Sequence, residues 1–466
     1  MPSAIIDPAD IRVTKFTNCF LVKGDRLVYE DLWIDATTGK ILKSQEAFYG
    51  SLVTPDQTID LQGKIVAPGF IDVQLNGAAG FNFSVPQETP EEFEAGLKKV
   101  NQHLIENGVT SYLPTVVSSL REVYHKVLPH LGPSGASRNP SNGAESLGAH
   151  VEGPFLSPSK NGIHSLDVLR VARSLSDVEE MYGKENLYPK ASSKSTTATG
   201  PTTLSPARIR KITAAPELGA MSDLIPDLTS QNLIFSIGHT SATYDQALHA
   251  ITQGATMITH LFNAMLPFGH RDPGIFGLLG NKSQPSSPHS SLPSSPSPRA
   301  SHSSSTPSPE IFRPFFGLIA DGIHLHPTTL SLAHSSHPTG TILVTDAMPL
   351  SGLPDGLYPY PNNDTLRKSG IYLTLERNGR IAGSAVSLIQ CVNNFRRWTR
   401  VGVAEAVACV TRTPARMLGA EIEATKGRLE GGMDADLVVL SDSGIEVEEG
   451  LRVEGVWKFG REVFRR

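Results

Sequence analysis

Short apolar runs alternate with helical patterns through the middle of the chain. The runs are rich in β-branched and aromatic residues, and amphipathic segments such as 120–131 and 241–253 have the spacing of helices. Strands that alternate with helices are typical of parallel β–α units. Spread over roughly 300 residues, they predict an α/β fold of the TIM-type (β/α)8 barrel class. The predicted strands are 110–114, 147–151, 211–215, 232–237, 255–259, 316–320 and 341–345.

The two ends of the chain have a different pattern, in which strands predominate. Residues 11–22 and 27–35 read as strands near the start, and 436–440 and 453–459 do so near the end. Helices are predicted at 385–399, 404–411 and 414–418. We therefore expect residues 1–66 and 367–466 to form a composite β-domain, a small β-sandwich beside a barrel of residues 67–366. The C-terminal helices are expected to pack on the barrel.

One segment has almost no apolar residues to bury. Between 281 and 310, 20 of the 30 residues are Ser or Pro. Such a composition cannot offset the entropy cost of ordering, so we predict a disordered insertion in a barrel loop. Residues 191–206, rich in Ser and Thr, resemble it on a smaller scale.

Composition narrows the functional classes. The chain has 466 residues, 39% of them hydrophobic, and a formal net charge of −5, which provides no basic surface for nucleic acid or acidic lipid. It lacks an apolar run long enough to cross a membrane, and its start lacks the apolar stretch of a secretory signal. Cys19, Cys391 and Cys409 form neither a disulfide framework nor a CxxC pair. These features favour a cytoplasmic protein.

Four acidic or imidazole side chains follow predicted barrel strands. Glu152, His239, His260 and Asp346 each come directly after a different apolar run. Barrel enzymes build their active sites at this edge from several strands. Two imidazoles and one carboxylate are a usual ligand set for catalytic zinc, which lowers the pKa of a bound water to about 7. Asp346 is suitably placed to take a proton from the attacking water and to deliver it to a leaving amine.

A single histidine after a strand is more often a structural residue than a metal ligand. Four such groups, each ending a different strand, favour a metal site over four independent structural roles. The pattern therefore predicts a metal-dependent hydrolase, with Glu152, His239 and His260 as ligands and Asp346 as the catalytic residue.

The motifs around these residues resemble those of a known family. They resemble the N-acetylglucosamine-6-phosphate deacetylases of the amidohydrolase superfamily, over nearly the whole chain apart from the Ser/Pro-rich segment and 191–206. The ordered set with its spacings is more specific than any single motif. The matching stretches are APGFID at 67–72, HVEGPF at 150–155, SIGHT at 236–240, THLFNAM at 259–265, DGIH at 321–324, VTDA at 344–347 and GRLEGGMDADLV at 427–438.

The resemblance implies a substrate, a mechanism and further site residues. It implies hydrolysis of N-acetyl-D-glucosamine 6-phosphate to glucosamine 6-phosphate and acetate, a step of amino-sugar catabolism, with Asp346 as acid and base. It also implies a homodimer in which Arg271 binds the substrate phosphate in the neighbouring subunit, as a guanidinium matches phosphate oxygens well. The implied substrate contacts are Ile163, His164, Asn263, Ala264, Arg271, Asp321, Gly322, Ile323, His324, Ile381, Ala382 and Gly383.

The chain departs from the wider superfamily after the first barrel strand. Many amidohydrolases have His-x-His there, which holds a second metal, whereas this chain has Gln74-Leu75-Asn76. Neutral amides are poor zinc ligands compared with imidazole. We therefore predict one divalent metal per chain. Zinc is favoured by the ligand set, with Co, Mn or Fe as alternatives.

Two other interpretations stay open on the sequence alone. The chain could act on another amide, such as N-acetylgalactosamine 6-phosphate or a cyclic ureide. It could instead be a non-catalytic barrel that binds a sugar phosphate or a protein partner. Several single residues also have plain structural interpretations: Arg271 could be a solvated loop charge, Asn263 a helix cap and Asp321 part of a turn.

Overall fold

The structure is a computed structural model that describes residues 12–50, 52–191, 204–280, 312–360, 364–447 and 450–466. The predicted disordered insertion at 281–310 and most of the 191–206 stretch lie outside these residues. The predictions for those two segments therefore stay predictions. Within the described residues, no helix is long and apolar enough to cross a membrane.

Strands β1 to β20 lie between residues 13 and 344. Those up to residue 82 are β1 (Val13–Thr17), β2 (Phe20–Lys23), β3 (Arg26–Tyr29), β4 (Leu32–Asp35), β5 (Lys40–Ile41), β6 (Gln57–Asp60), β7 (Ile65–Pro68), β8 (Phe70–Leu75), β9 (Gly77–Ala78) and β10 (Phe81–Asn82). Those from 109 to 344 are β11 (Val109–Val117), β12 (Glu145–Ser146), β13 (Ala149–Glu152), β14 (Lys190–Ala191), β15 (Leu204–Ser205), β16 (Ile209–Ala214), β17 (Ile234–Ile237), β18 (Met257–Ile258), β19 (Phe315–Ile319) and β20 (Thr341–Val344).

The last strands and the helices complete the element order. The strands are β21 (Gly356–Tyr360), β22 (Asp364–Ser369), β23 (Tyr372–Leu375), β24 (Ile381–Ser384), β25 (Leu437–Asp442), β26 (Leu451–Lys458) and β27 (Arg461–Arg465). The helices are α1 (Pro90–Glu106), α2 (Arg121–Val127), α3 (Leu175–Tyr182), α4 (Lys184–Leu187), α5 (Met221–Thr229), α6 (Tyr244–Thr252), α7 (Pro327–Ser336), α8 (Leu388–Thr399), α9 (Val403–Ala408), α10 (Arg412–Met417) and α11 (Ala420–Glu423).

Eight parallel strands form a barrel. Their order is β8-β11-β13-β16-β17-β18-β19-β20, and β12 pairs with β11 beside them. A parallel bridge between Leu75 and Ala347 brings the two ends of the sheet together. The strands are buried along almost their whole length, as expected for strands covered by helices on one side and by the barrel interior on the other. The predicted TIM-type barrel is confirmed.

Strands from both ends of the chain meet in a second region. One sheet has the order β27-β26-β25-β7-β2-β3, and another has the order β5-β4-β1-β6. They pack through a buried apolar cluster in which Phe16 of β1 meets Trp457 of β26 edge to face, with ring centroids 5.0 Å apart. This arrangement is the predicted small β-sandwich. The proposed domain limits at 66/67 and 366/367 stay predictions.

Several element boundaries differ from those predicted, and two helices illustrate the local reasons. The helix expected from residue 385 begins at Leu388, because Ser387 and Gln390 form a capping box that fixes its start. The helix expected over 120–131 ends as an α-helix at Val127 and continues as a single 3-10 turn before Leu131. A four-stranded antiparallel sheet, β21-β22-β23-β24, lies between the last barrel strand and α8 in the sequence.

Candidate active site

The four side chains predicted to carry the chemistry lie together at the carboxyl edge of the barrel. Glu152 is the last residue of β13, and His239, His260 and Asp346 each lie two residues beyond β17, β18 and β20. The three post-strand residues have φ angles of 48°, 24° and 47°. Positive φ is uncommon for residues other than glycine and clusters at functional sites.

Three of these side chains converge on one point. The Oε1 atom of Glu152 lies 3.0 Å from Nε2 of His260 and 3.3 Å from Nε2 of His239. The two Nε2 atoms are 3.1 Å apart, and all three side chains are buried. The cluster therefore has the composition and the compactness of a metal-binding triad.

Hydrogen bonding sets the protonation of one ligand. The Nδ1 atom of His239 lies 2.8 Å from the carbonyl oxygen of Lys160. A carbonyl oxygen only accepts, so Nδ1 of His239 donates and its Nε2 carries a lone pair. This Nε2 lone pair points towards Glu152 and His260, which supply further acceptor atoms. A divalent cation fits this donor set, because it would satisfy three electron-rich atoms held close together.

Glu152 remains ionised in this surrounding. Burial, the largest influence, raises its pKa, but the two neighbouring imidazoles, His239 and His260, outweigh burial and hold the pKa of Glu152 well below its usual range. An ionised carboxylate is the form that binds a cation.

Asp346 has the opposite tendency. Burial is the largest influence and raises the pKa of Asp346, and the charge of Glu152 acts in the same direction. His260 and a hydrogen bond from Asn76 lower it by less. A carboxyl group whose pKa lies above its ordinary value is better matched to proton transfer near neutral pH.

The site opens into a cavity of about 370 Å³. The predicted substrate contacts that line it are Ile163, His164, Asn263, Ala264, Ile323, His324, Ile381 and Gly383. They come from loops after several different barrel strands and from β24, and the structure brings them together with the triad and Asp346.

The other predicted contacts lie outside the cavity wall. Asp321 is buried behind His324, and Gly322 lies against the ring of Trp398. Ala382 is buried in β24 between two residues that line the cavity. Arg271 is exposed on the chain surface.

Two histidines of the cavity wall have defined proton positions. The Nδ1 atom of His164 accepts from the backbone N–H of Ser118 at 3.2 Å, so its Nε2 carries the proton. Burial, reinforced by His239, lowers the pKa of His164 to about 3, which keeps the ring neutral. His324 instead donates its Nδ1–H to Asp321 at 2.7 Å. Although burial lowers the pKa of His324, the hydrogen bond and the charge of Asp321 raise it overall.

Several cavity residues were not predicted from the sequence. They are Asn76, which the sequence indicated only as a departure from His-x-His, and Val117, Gly162, Ile319 and Met348. Val117 and Ile319 are the last residues of β11 and β19, so the strand-end rule that found Glu152 could also have found them. Gly162 and Met348 lie beside the predicted Ile163 and Asp346 and could have been included by proximity.

Comparison with known proteins identifies the family. The model of the Amidohydrolase family matches residues 65–463, most of the chain. The chain belongs to the amidohydrolase family. This amidohydrolase is 36% identical to the N-acetylglucosamine-6-phosphate deacetylase of Danio rerio, over 97% of this chain and 98% of the relative. The resemblance stated from the motifs is thereby confirmed.

A more distant relative and a solved structure complete the comparison. The amidohydrolase is 27% identical to the N-acetylgalactosamine-6-phosphate deacetylase of Escherichia coli O157:H7, over 92% of this chain and 97% of the relative. The crystal structure of N-acetylglucosamine-6-phosphate deacetylase from Pasteurella multocida superposes with a TM-score of 0.72 at 24% identity, over 97% of this chain and 100% of that one. At this identity the structural similarity establishes the shared fold alone.

Proposed function

We propose that this amidohydrolase removes the acetyl group of N-acetyl-D-glucosamine 6-phosphate, releasing glucosamine 6-phosphate and acetate in amino-sugar catabolism. The observation that carries the proposal is the convergence of Glu152, His239 and His260 beside Asp346 at the base of one cavity. Its 36% identity to the deacetylase of Danio rerio over almost the whole chain supports the same substrate.

Glu152, His239 and His260 would hold one divalent metal ion, for which zinc is our choice because two imidazoles and a carboxylate suit it. When bound, the ion would polarise the acetamide carbonyl and lower the pKa of a water molecule to about 7. The amides of Gln74 and Asn76, in place of His-x-His, support a single ion per chain.

Asp346 moves the proton in this mechanism. It accepts a proton from the attacking water as the new C–O bond forms. It then returns that proton to the nitrogen as the C–N bond breaks, so that acetate and the free amine leave. The raised pKa of Asp346 suits both halves of this exchange.

The two histidines of the cavity wall bind and orient the substrate. Neutral His164 offers its Nε2–H to the carbonyl oxygen as that oxygen gains negative charge. His324, held through its Nδ1–H by Asp321, presents its Nε2 atom to a hydroxyl group of the sugar. The remaining predicted contacts, Ile163, Asn263, Ala264, Ile323 and the 381–383 segment, shape the cavity around the amino sugar.

We also propose a cytoplasmic homodimer in which Arg271 reaches the neighbouring site. Arg271 is exposed and does not line the cavity of its own chain, which supports a role towards a second subunit. Its guanidinium would bind the substrate phosphate in two-pronged fashion. Cys19, Cys391 and Cys409 are free and buried, in keeping with a reducing compartment.

Deacetylation of the galactosamine epimer and hydrolysis of a cyclic ureide are the two alternative activities. The relative named for N-acetylgalactosamine 6-phosphate makes the epimer the main alternative substrate, ahead of a cyclic ureide. A purely binding barrel would leave the triad and Asp346 without a purpose.

A panel of substrates tests the proposal. Acetate release is measured with zinc-loaded enzyme on the 6-phosphates of N-acetylglucosamine and N-acetylgalactosamine, on unphosphorylated N-acetylglucosamine and on a cyclic ureide. We expect the highest kcat/KM with N-acetylglucosamine 6-phosphate and a large loss without the phosphate. A higher kcat/KM with the galactosamine epimer or with the ureide would show that this compound is the substrate. A protein that is purified without metal and stays inert with added zinc would favour the binding role.

A further inference from the structure

Two amide side chains contact the two buried carboxylates of the site. The Nε2 atom of Gln74 donates to Oε1 of Glu152 at 3.1 Å. The Nδ2 atom of Asn76 donates to Oδ1 of Asp346 at 2.8 Å and to the carbonyl oxygen of Asp346 at 3.2 Å. Both amides lie where the barrel closes, next to the bridge between Leu75 and Ala347.

The contact between Asn76 and Asp346 is reinforced by the backbone. The N–H of Asp346 donates to the carbonyl oxygen of Gln74 at 2.9 Å, and the N–H of Asn76 donates to the carbonyl oxygen of Ala347 at 3.0 Å. Asp346 itself has a left-handed backbone, with φ of 47°. Side chain and backbone together hold Asp346 in a conformation that an aspartate seldom adopts alone.

This contact leaves one carboxylate oxygen free for chemistry. Asn76 occupies Oδ1 of Asp346, whereas Oδ2 has no hydrogen-bond partner within the described part of the chain, and Asp346 lines the cavity. Asn76 is therefore the side-chain donor that orients the carboxylate of Asp346, and Oδ2 is the oxygen left available for proton transfer.

The other end of the same amide is left without a partner. The Oδ1 atom of Asn76 is buried and accepts no hydrogen bond from the described residues. A buried asparagine with a structural role normally satisfies both ends, as Asn393 does by donating to the carbonyl oxygen of Leu451 and accepting from its N–H. At Asn76 the amide nitrogen has two acceptors, both on Asp346, whereas the amide oxygen has no donor among the described residues. The side chain is therefore oriented for its contact with Asp346.

We propose that Asn76 is a positioning residue that fixes the carboxylate of Asp346 for proton transfer. Gln74 and Asn76 stand where many other amidohydrolases have His-x-His, and their amide nitrogens donate to the carboxylates of Glu152 and Asp346. The proposal rests on the proposed function, because it assigns Asn76 a part in the same proton transfer.

The first test separates positioning from folding. Replacing Asn76 with Ala is expected to lower kcat about 10- to 100-fold, the size of effect that a misplacement of about 1 Å produces. KM and the zinc content should change by less than about threefold, since the amide nitrogen of Asn76, although Asn76 lines the cavity, is engaged with Asp346 and no metal ligand is altered. Asn393→Ala, the matched loss of a buried asparagine that does not line the cavity, should lower the unfolding temperature and leave kcat unchanged.

The second test asks whether Asn76 acts through Asp346. In an Asp346→Asn background, Asn76→Ala should reduce the residual turnover by less than about twofold, because the group it orients no longer moves the proton. An equal loss of kcat in both backgrounds, or a rise in KM with kcat unchanged, would overturn the proposal.

A second variant covers the case in which Asn76→Ala does not fold. Asn76→Asp keeps the shape but puts an acceptor against Oδ1 of Asp346, and we expect it to lose at least as much kcat as Asn76→Ala. Normal kcat in Asn76→Asp would overturn the positioning role. Acetate release by the wild type separates a failure of the proposed function from a failure of the inference about Asn76. An inactive wild type contradicts the proposed function. An active wild type whose Asn76 variants keep normal kcat contradicts only the inference about Asn76.

Discussion

Two buried clusters of charged side chains differ in how their charges are balanced. The active site has two carboxylates, Glu152 and Asp346, whose contacts are imidazoles and amides. The second cluster lies between the barrel and the β-sandwich, and we call it the ion-pair network. Its members are Glu145, Lys426, Asp434, Asp436 and Lys458.

The charges of the ion-pair network are balanced by one another and by Lys40 and Arg138, which lie 2.7 Å and 2.9 Å from Asp434. Lys426 lies 2.9 Å from Asp436 and 3.0 Å from Asp434, and Lys458 lies 2.6 Å from Glu145 and 2.7 Å from Asp436. Every charge has opposite charges beside it, so no further ligand is needed. By contrast, no lysine or arginine of the described chain pairs with Glu152 or Asp346. Buried carboxylates that have no lysine or arginine beside them, as at Glu152 and Asp346, indicate a functional site, whereas the carboxylates of the ion-pair network have a structural role.

The largest expected effect comes from removing a charge at the active site. Glu152→Gln should lower kcat/KM at least about 1,000-fold, since the Lewis-acid contribution of several kcal/mol is lost with the metal. The unfolding temperature in metal-free buffer should change little. Zinc content per chain, acetate release and thermal unfolding measure the three quantities. A variant that kept both zinc and turnover would remove Glu152 from the ligand set.

The matched substitution in the ion-pair network should give the reverse result. Glu145→Gln leaves the buried Lys458 and Lys426 with one negative charge fewer beside them, which should lower the free energy of unfolding by about 3–5 kcal/mol. Turnover per folded, zinc-loaded molecule should stay at the wild-type value. Urea denaturation gives the stability, and active-site titration with zinc corrects the turnover. Lost turnover in a stable Glu145→Gln protein would show that the two clusters are not independent.

The pH dependence of the ion-pair network is a smaller and more specific effect. Burial raises the pKa of Asp436, but the charges of Lys426 and Lys458 outweigh it and hold the pKa well below the usual range. The stability that Asp436 contributes is therefore complete above about pH 4, the pKa of an unfolded aspartate, and is lost as the pH falls towards the folded pKa.

Asp436→Asn isolates that contribution. The difference in free energy of unfolding between wild type and Asp436→Asn should be constant from about pH 5 to pH 8 and should shrink below about pH 4. Urea denaturation at a series of pH values measures it. A difference that stays constant down to pH 3 would mean that Asp436 is not held ionised by the two lysines.

The site residues that could be predicted from the sequence are those that directly follow a predicted strand. Glu152, His239, His260 and Asp346 could be predicted because each follows its own strand, and parallel strands end at one edge of a barrel. The capping box at Ser387 could also have been read from its spacing, which would have corrected the predicted start of α8.

Features that depend on distant pairing could not be predicted in the same way. Asn76 and Asp346 are 270 residues apart, and Glu145 and Lys458 are 313 apart. Neither pair has a local signal, since a lone asparagine or a lone lysine reads as a surface residue until the barrel closes around it. The sequence identified Gln74 and Asn76 as a departure from His-x-His, but only the hydrogen bonds indicate what these amides contact.

The central claim is that Glu152, His239 and His260 bind the metal ion and that Asp346 transfers the proton. One paired measurement tests this claim most directly. Zinc content and acetate release from N-acetyl-D-glucosamine 6-phosphate are determined on the same preparations of wild type and Asp346→Asn. We predict equal zinc, close to one ion per chain, and a fall in kcat of at least about 1,000-fold in Asp346→Asn. Near-normal turnover in a zinc-loaded Asp346→Asn protein would contradict the account.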